Sequence, residues 1–201
     1  EDGIRDLVRS RGLGDVYKRQ DVHHGNGTQP MTEADPSILF VSTHQYPFYP
    51  GTGGVEEIGQ RAGVGFTVNL PLRVGVGDEG FMALYNEIVV PVVRRFEPQL
   101  ILVSAGYDAH WSDPLASLGL SLAGYAWISQ TLVGLAADLC DGKIVFVLEG
   151  GYNLPVLSAG VANSIRALLG RDDVVDPIGF SQQESPDLTG YIKQIKNIHH
   201  L

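Results

Sequence analysis

The chain has 201 residues, 44% hydrophobic and 18% charged, which is enough to bury one sizeable core and too apolar for a disordered segment. Its formal charge of -9, from 23 acidic and 14 basic residues, argues against a nucleic-acid surface. The single cysteine, Cys140, rules out an intramolecular disulfide and fits a reducing, cytoplasmic setting, and no apolar run approaches the roughly 20 residues of a membrane span.

In chain order, residues 1–20, EDGIRDLVRSRGLGDVYKRQ, mix five basic with four acidic residues and show no convincing strand leading into Asp21. They read as a leader or a joining artefact outside the main domain. DVHHGNGTQ (21–29) then packs Asp21, His23, His24 and Asn26 into one short stretch. Four continuous apolar, β-branched runs come after it: SILFVST (37–43), GVGFTVNL (63–70), QLILVSAG (99–106) and KIVFVLEGG (143–151). Their continuity predicts buried strands of a parallel sheet. Helical patterns separate the later ones, with Asp78 expected to cap FMALYNEIVVPVVRRF, Ser121 to cap LAGYAWISQTLVGLAADLC, and a third helix running from Leu154 to Leu169 and stopping at Gly170. The expected class is therefore α/β, a central parallel sheet flanked by helices, with a partial domain over 21–170 and a polar tail of the domain over 171–201 holding a short element at most.

In such sheets chemistry collects at the carboxyl ends of strands, and the conspicuous polar residues fall there. Asp108 follows QLILVSAGY, Glu149 and Tyr152 follow KIVFV, and Ser42 and His44 follow ILFV. Asp21 and His23 are two apart, so on an extended strand end both point one way, and one carboxylate oxygen and one imidazole nitrogen can reach a single ion. Asp108 is the best-placed third ligand. Mixed Asp and His donors suit a catalytic metal better than a closed structural one. A hydrogen-bonded strand end without metal remains the alternative reading of the same residues.

Four segments, DVHHGNGTQ, STHQYPFYPGTG (42–53), SAGYDAHWSDPLA (104–116) and LEGGYN (148–153), are similar in order, spacing and wording to the zinc-dependent histone deacetylases, especially the class II and bacterial branches. The resemblance covers about 150 residues. It implies the arginase/deacetylase-like fold with its N-terminal part missing, and hydrolysis of acetyl-lysine in proteins to lysine and acetate. By resemblance the zinc ligands are Asp21, His23 and Asp108, and Tyr152 is the phenol that hydrogen-bonds the substrate carbonyl. Phe48, Tyr49, Gly106 and Leu115 match the acyl-lysine channel, and Ser42 and Thr43 a structural potassium site. His24 and Asn26 fall beside the ligands, with Asn26 able to orient a histidine. His44 and His110 read as structural.

Two departures stand out. The family carries a tandem histidine pair upstream that supplies the general base, whereas the six histidines here are 23, 24, 44, 110, 199 and 200. The family also has an aspartate two residues before Asp21, where this chain has Arg19. Both departures point to a truncated chain of impaired activity. Three alternatives compete with the acetyl-lysine hydrolase. A binuclear manganese hydrolase wants an aspartate where Gly25 stands. An acetylpolyamine amidohydrolase is expected to place an acidic residue after Asp113-Pro114, where this chain has Leu115. A non-catalytic acyl-lysine or metal-binding fragment would need no base at all.

Overall fold

The computed structural model describes residues 14–19 and 21–201. Five parallel strands form one sheet: β1 (Asp15–Arg19), β2 (Ile38–Gln45), β3 (Thr67–Leu72), β4 (Leu100–Ala105) and β5 (Ile144–Leu148). Their spatial order is β3-β2-β1-β4-β5. The chain thus starts in the middle, builds outward to β3, then returns to the other side of β1 and builds outward to β5. The order reverses between β1 and β4, and a crevice opens at such a switch point because successive connections diverge. Every run predicted as a strand is one, and the α/β class stands.

The structure corrects the expectation that no strand precedes Asp21. Asp15–Arg19 is the central strand, registered from Asp15 against Ile38 on one side and against Leu100 on the other. Its composition hid it. Val16 and Lys18 are both fully buried, so a lysine occupies a position where an apolar residue is ordinary. The Lys18 ammonium donates to Thr43 Oγ1 at 3.0 Å and lies 5.4 Å from the centre of the Tyr85 ring. Ladder pairing on both edges overrides the poor local preference of charged residues for strands. Residues 1–13 and 20 of the expected leader lie outside the described residues. β5 departs in the opposite sense: its apolar run predicts a buried strand, yet Val145, Val147 and Leu148 are about half exposed, because β5 is an edge of this sheet.

The helices are α1 (Gln29–Thr32), α2 (Asp78–Leu84), α3 (Val90–Phe96), α4 (Leu122–Cys140), α5 (Leu154–Leu168) and α6 (Thr189–His199). α2 and α3 are joined by a π turn, Tyr85–Val89, inside the single helix that the sequence predicts. Pro91 explains the interruption: it has no N–H for the carbonyl four residues back, and its ring crowds that carbonyl, so the turn widens ahead of it. Ser121 caps α4, accepting from Gly124 N at 3.1 Å. Asp78 does not cap its own helix; its carboxylate takes the N–H and hydroxyl of Ser121 at 2.7 and 2.6 Å, tying α2 to the start of α4. The short element expected in the polar tail is α6, docked through buried Ile195 and His199, with Arg95 donating to the His199 carbonyl at 2.8 Å.

The buried Lys18 ammonium serves partners, Thr43 Oγ1 among them, that an apolar side chain would leave without their donor. Lys18→Met is therefore expected to lower the unfolding free energy by about 1–3 kcal/mol, read as a lower urea midpoint. An unchanged or higher midpoint would show that desolvation of the ammonium outweighs its partners.

Candidate active site

The reversal between β1 and β4 decides which strand ends meet. Extending the β1–β4 register two residues past the Arg19–Ser104 pair sets Gly106 opposite Asp21. A Cβ at Gly106 would lie 2.5 Å from the Asp21 Cα, so only glycine lets these two strand ends approach. Beyond it, Asp108 turns back toward β1, and its Oδ1 accepts the Val22 N–H at 2.8 Å. From β5, the Gly150 N–H donates to Asp21 Oδ2 at 3.1 Å. A Cβ at Gly150 would overlap Asp108 Oδ2 and Asp21 Oδ2. Three neighbouring strands therefore deliver one small polar concavity.

Asp21, His23 and Asp108 each offer a ligand atom there, all within 4.8 Å of one another. His23 Nδ1 lies 3.0 Å from Asp21 Oδ1 and 3.6 Å from Asp108 Oδ2. Asp108 is fully buried, and among the described residues its Oδ2 has no hydrogen-bond partner. Burial, and next the charge of Asp21, push the Asp108 carboxyl up to about 7. A buried, unsatisfied carboxylate oxygen beside a second carboxylate and an imidazole is what a divalent cation relieves, so the three residues fit a metal ion.

The cavity beside them has a volume of about 410 Å³ and is lined by Asp21, His23, His24, Asn26, Tyr49, Glu149, Gly150 and Tyr152. Tyr152 is half exposed. Burial, and then the field of Asp108, Asp21 and Asp113, raise its phenol above the usual value, so it stays a proton donor. Phe48 stacks on the His23 ring at 5.3 Å and 21°, and Tyr49 meets it edge-on at 6.1 Å. The predicted set thus converges, with exceptions. Leu115 is an exposed turn residue outside this lining. Asn26 is exposed at the rim, and His24 instead meets Gln29 and Thr52, each at 2.8 Å. Ser42 Oγ pairs with His44 Nδ1 at 3.0 Å, while the Thr43 hydroxyl takes Lys18. His44 and His110 are buried in structural hydrogen bonds. His199 and His200 line a different cavity, with Leu39 and Phe66 at the amino-terminal side of β2 and β3, remote from Asp21, His23 and Asp108.

Sequence reasoning missed two residues that hold this site. Asp113 Oδ2 accepts the Tyr152 N–H at 2.9 Å, while its Oδ1 takes Leu115 N at 2.9 Å. Glu149 accepts the Ser104 hydroxyl. An Asp-Pro turn is a recognisable signal for the first, though not for its distant partner.

His44 connects this region to stability. Burial, and next the neighbouring His24, lower its pKa to about 3 from 6.5. The unfolded chain takes up this proton below 6.5 and the folded chain does not until about 3, so the stability is whole above 6.5 and is lost as pH falls toward 3. Between about pH 7.5 and about pH 5, His44→Gln is expected to lose about 2 kcal/mol less unfolding free energy than the parent chain. Equal losses by denaturant titration would refute the assignment.

Comparison with known proteins agrees with the geometry. Residues 19–168 match the histone deacetylase domain. The chain is 45% identical over 202 residues to histone deacetylase 14, chloroplastic, of Arabidopsis thaliana, covering 98% of this chain and 48% of that protein. It is 42% identical over 190 residues to a probable deacetylase of Archaeoglobus fulgidus, covering 89% and 53%. The chain thus spans about half the length of these curated relatives. Among solved structures, the HDA15 HD domain superposes with a TM-score of 0.79 at 34% identity over 98% of this chain and 52% of that one. The histone deacetylase Clr3 superposes with a TM-score of 0.83 at 33% identity over 97% and 33%. With more than half of its length matched to the family domain, relatives at 42–45% identity and two solved family structures superposing on nearly its whole length, the chain belongs to the histone deacetylase family.

Proposed function

We propose that the parent activity is zinc-dependent hydrolysis of acetyl-lysine. The observation that carries the reading is the convergence of Asp21, His23 and Asp108 beside a cavity that also holds Tyr152. These three residues would hold the ion, which when bound supplies Lewis acidity to the amide carbonyl and acidifies a water. Tyr152 donates a hydrogen bond to the carbonyl oxygen as it gains charge. Phe48 and Tyr49 sheathe the lysine stem, an apolar four-carbon chain. In this reading the chain is cytoplasmic; among the described residues no helix is long and apolar enough to cross a membrane.

The base is the weak point. Among the described residues, the histidines other than His23 are bound into other structure or lie away from Asp21, His23 and Asp108. Asp108 Oδ1 is committed to Val22 N, and Glu149 to Ser104. We infer that the chain alone turns over slowly, since a positioned base contributes on the order of 100-fold or more. Acetylated polyamine is the runner-up substrate, and a potassium ion at Ser42 and Thr43 would have to compete with the partners those hydroxyls already have.

Zinc loading is expected to reach about one ion per chain by metal analysis, and to fall in both His23→Ala and Asp108→Ala. Unchanged stoichiometry in both variants would overturn the ligand assignment. On an acetyl-lysine peptide the zinc-loaded chain is expected to run at least about 100-fold below a full-length family member, and Tyr152→Phe to lower what remains by about 100-fold. Turnover matching the full-length enzyme and abolished by Tyr152→Phe would refute the impairment.

A further inference from the structure

The loop between β2 and the short 3-10 turn Arg61–Gly63 carries Phe48 and Tyr49, and no helix or strand is described within it. Its backbone must therefore be held by something else. One side chain ties two of its backbone groups to the body of the protein. Glu57 Oε1 accepts the N–H groups of Gly53 and Gly54, both at 2.8 Å. Glu57 Oε2 accepts from Gln29 Nε2 at 2.6 Å. The Gln29 carbonyl oxygen in turn receives Asn69 Nδ2 and faces His24 Nε2, each at 2.8 Å. An amide oxygen can only accept, so His24 carries a hydrogen on Nε2, while its Nδ1 pairs with Thr52 Oγ1 at 2.8 Å. The circuit leaves the loop at Thr52, passes the end of β1, α1 and β3, and returns to the loop at Gly53 and Gly54.

His24, Gln29 and Asn69 are buried, which makes each of these bonds expensive to leave unmade. Gly53 adds a packing constraint: its φ is +87°, and a Cβ there would lie 2.5 Å from His24 Cδ2. The loop backbone rests directly on the His24 ring. At its other end, Phe48 and Tyr49 rest on His23. Two adjacent residues of one strand end are thus gripped by the two ends of one loop. Burial pushes the Glu57 carboxyl up, but its hydrogen bonds from Gly54, Gln29 and Gly53 more than offset this and hold it below the usual carboxylate range. The acceptor is therefore charged at neutral pH, which strengthens every bond it receives.

We propose that Glu57 is a positioning residue: through Gln29, His24 and the Gly53 and Gly54 amides it fixes the loop that carries Phe48 and Tyr49 against His23, and so sets the wall of the acyl-lysine channel. The functional half of this proposal rests on the substrate reading above. The mechanical half does not.

The experiment compares Glu57→Ala and Glu57→Gln with Glu56→Ala, an exposed neighbour, in the full chain. Amide hydrogen exchange at Gly53 and Gly54 is expected to rise at least about tenfold in Glu57→Ala. In Glu57→Gln the rise is expected to be smaller, because one acceptor oxygen is retained. The His23 ring proton signals, displaced by the stacked Phe48 ring, are expected to move toward ordinary values in Glu57→Ala and to stay in place in Glu56→Ala. Exchange and His23 signals that match Glu56→Ala would overturn the proposal. In the zinc-loaded chain, Glu57→Gln is expected to raise KM for an acetyl-lysine peptide more than it lowers kcat. A kcat loss with unchanged KM would refute the channel role. If the zinc-loaded parent does not bind the peptide, the substrate reading fails while the exchange and ring signals still decide the clamp.

Discussion

Two buried carboxylates, Asp21 and Asp108, share one site, and their mutual repulsion shapes what surrounds them. Burial and the Asp21 charge push the Asp108 carboxyl toward neutrality, and among the described residues one of its oxygens has no hydrogen-bond partner. Backbone N–H groups of Val22, His23 and Gly150 supply part of the compensation. The rest is matched by a cation in the proposed reading. Gly106 and Gly150 follow from the same constraint, since a side chain at either would fill the space that the oxygens or their backbone occupy.

The sheet makes this arrangement possible through its order. With β1 in the centre, β2 and β4 as its neighbours and β5 beyond β4, the carboxyl ends of β1, β4 and β5 are adjacent although their residues are up to about 130 apart in sequence. The Val22 carbonyl also accepts from Gln45, and Tyr107 N donates to Gly150 O, so the loops beyond the strands continue the ladder into the site. The functional groups therefore stand on short extensions of rigid strands, where placement is more precise than on free loops. The exception is the loop of Phe48 and Tyr49, which depends on Glu57 and a buried polar circuit.

Hydrogen bonding around the two adjacent histidines separates their roles. His23 faces the carboxylates and the aromatic pair. His24 faces Thr52 and Gln29 on the other side of the strand end, as the alternation of an extended chain requires. One residue is available to an ion and the other is committed to the fold. His44 and His110 fall with His24: the His44 ring is held by Ser42 and Gly53, and His110 is held through Nδ1 by Ser112.

The strands at 38–45, 67–72, 100–105 and 144–148 were legible because continuous β-branched runs have few other uses, and the grouping of Asp21, His23 and Asp108 was legible because polar chemistry clusters at strand ends. The strand at 15–19 was not, because Lys18 and Arg19 carry no apolar pattern; only pairing on both sides makes that segment extended. The edge position of β5, the exchange of Asp78 from its own cap to Ser121, and the π turn before Pro91 were likewise decided by neighbours in space. So were the partners of Asp113 and Glu57. The sequence by itself determined which residue types stand at each strand end, because local pattern and motif spacing are properties of adjacent positions. Which ends meet, and which polar groups hold them there, was decided only by the tertiary structure, since strand order and long-range hydrogen bonds join residues with no common local signal.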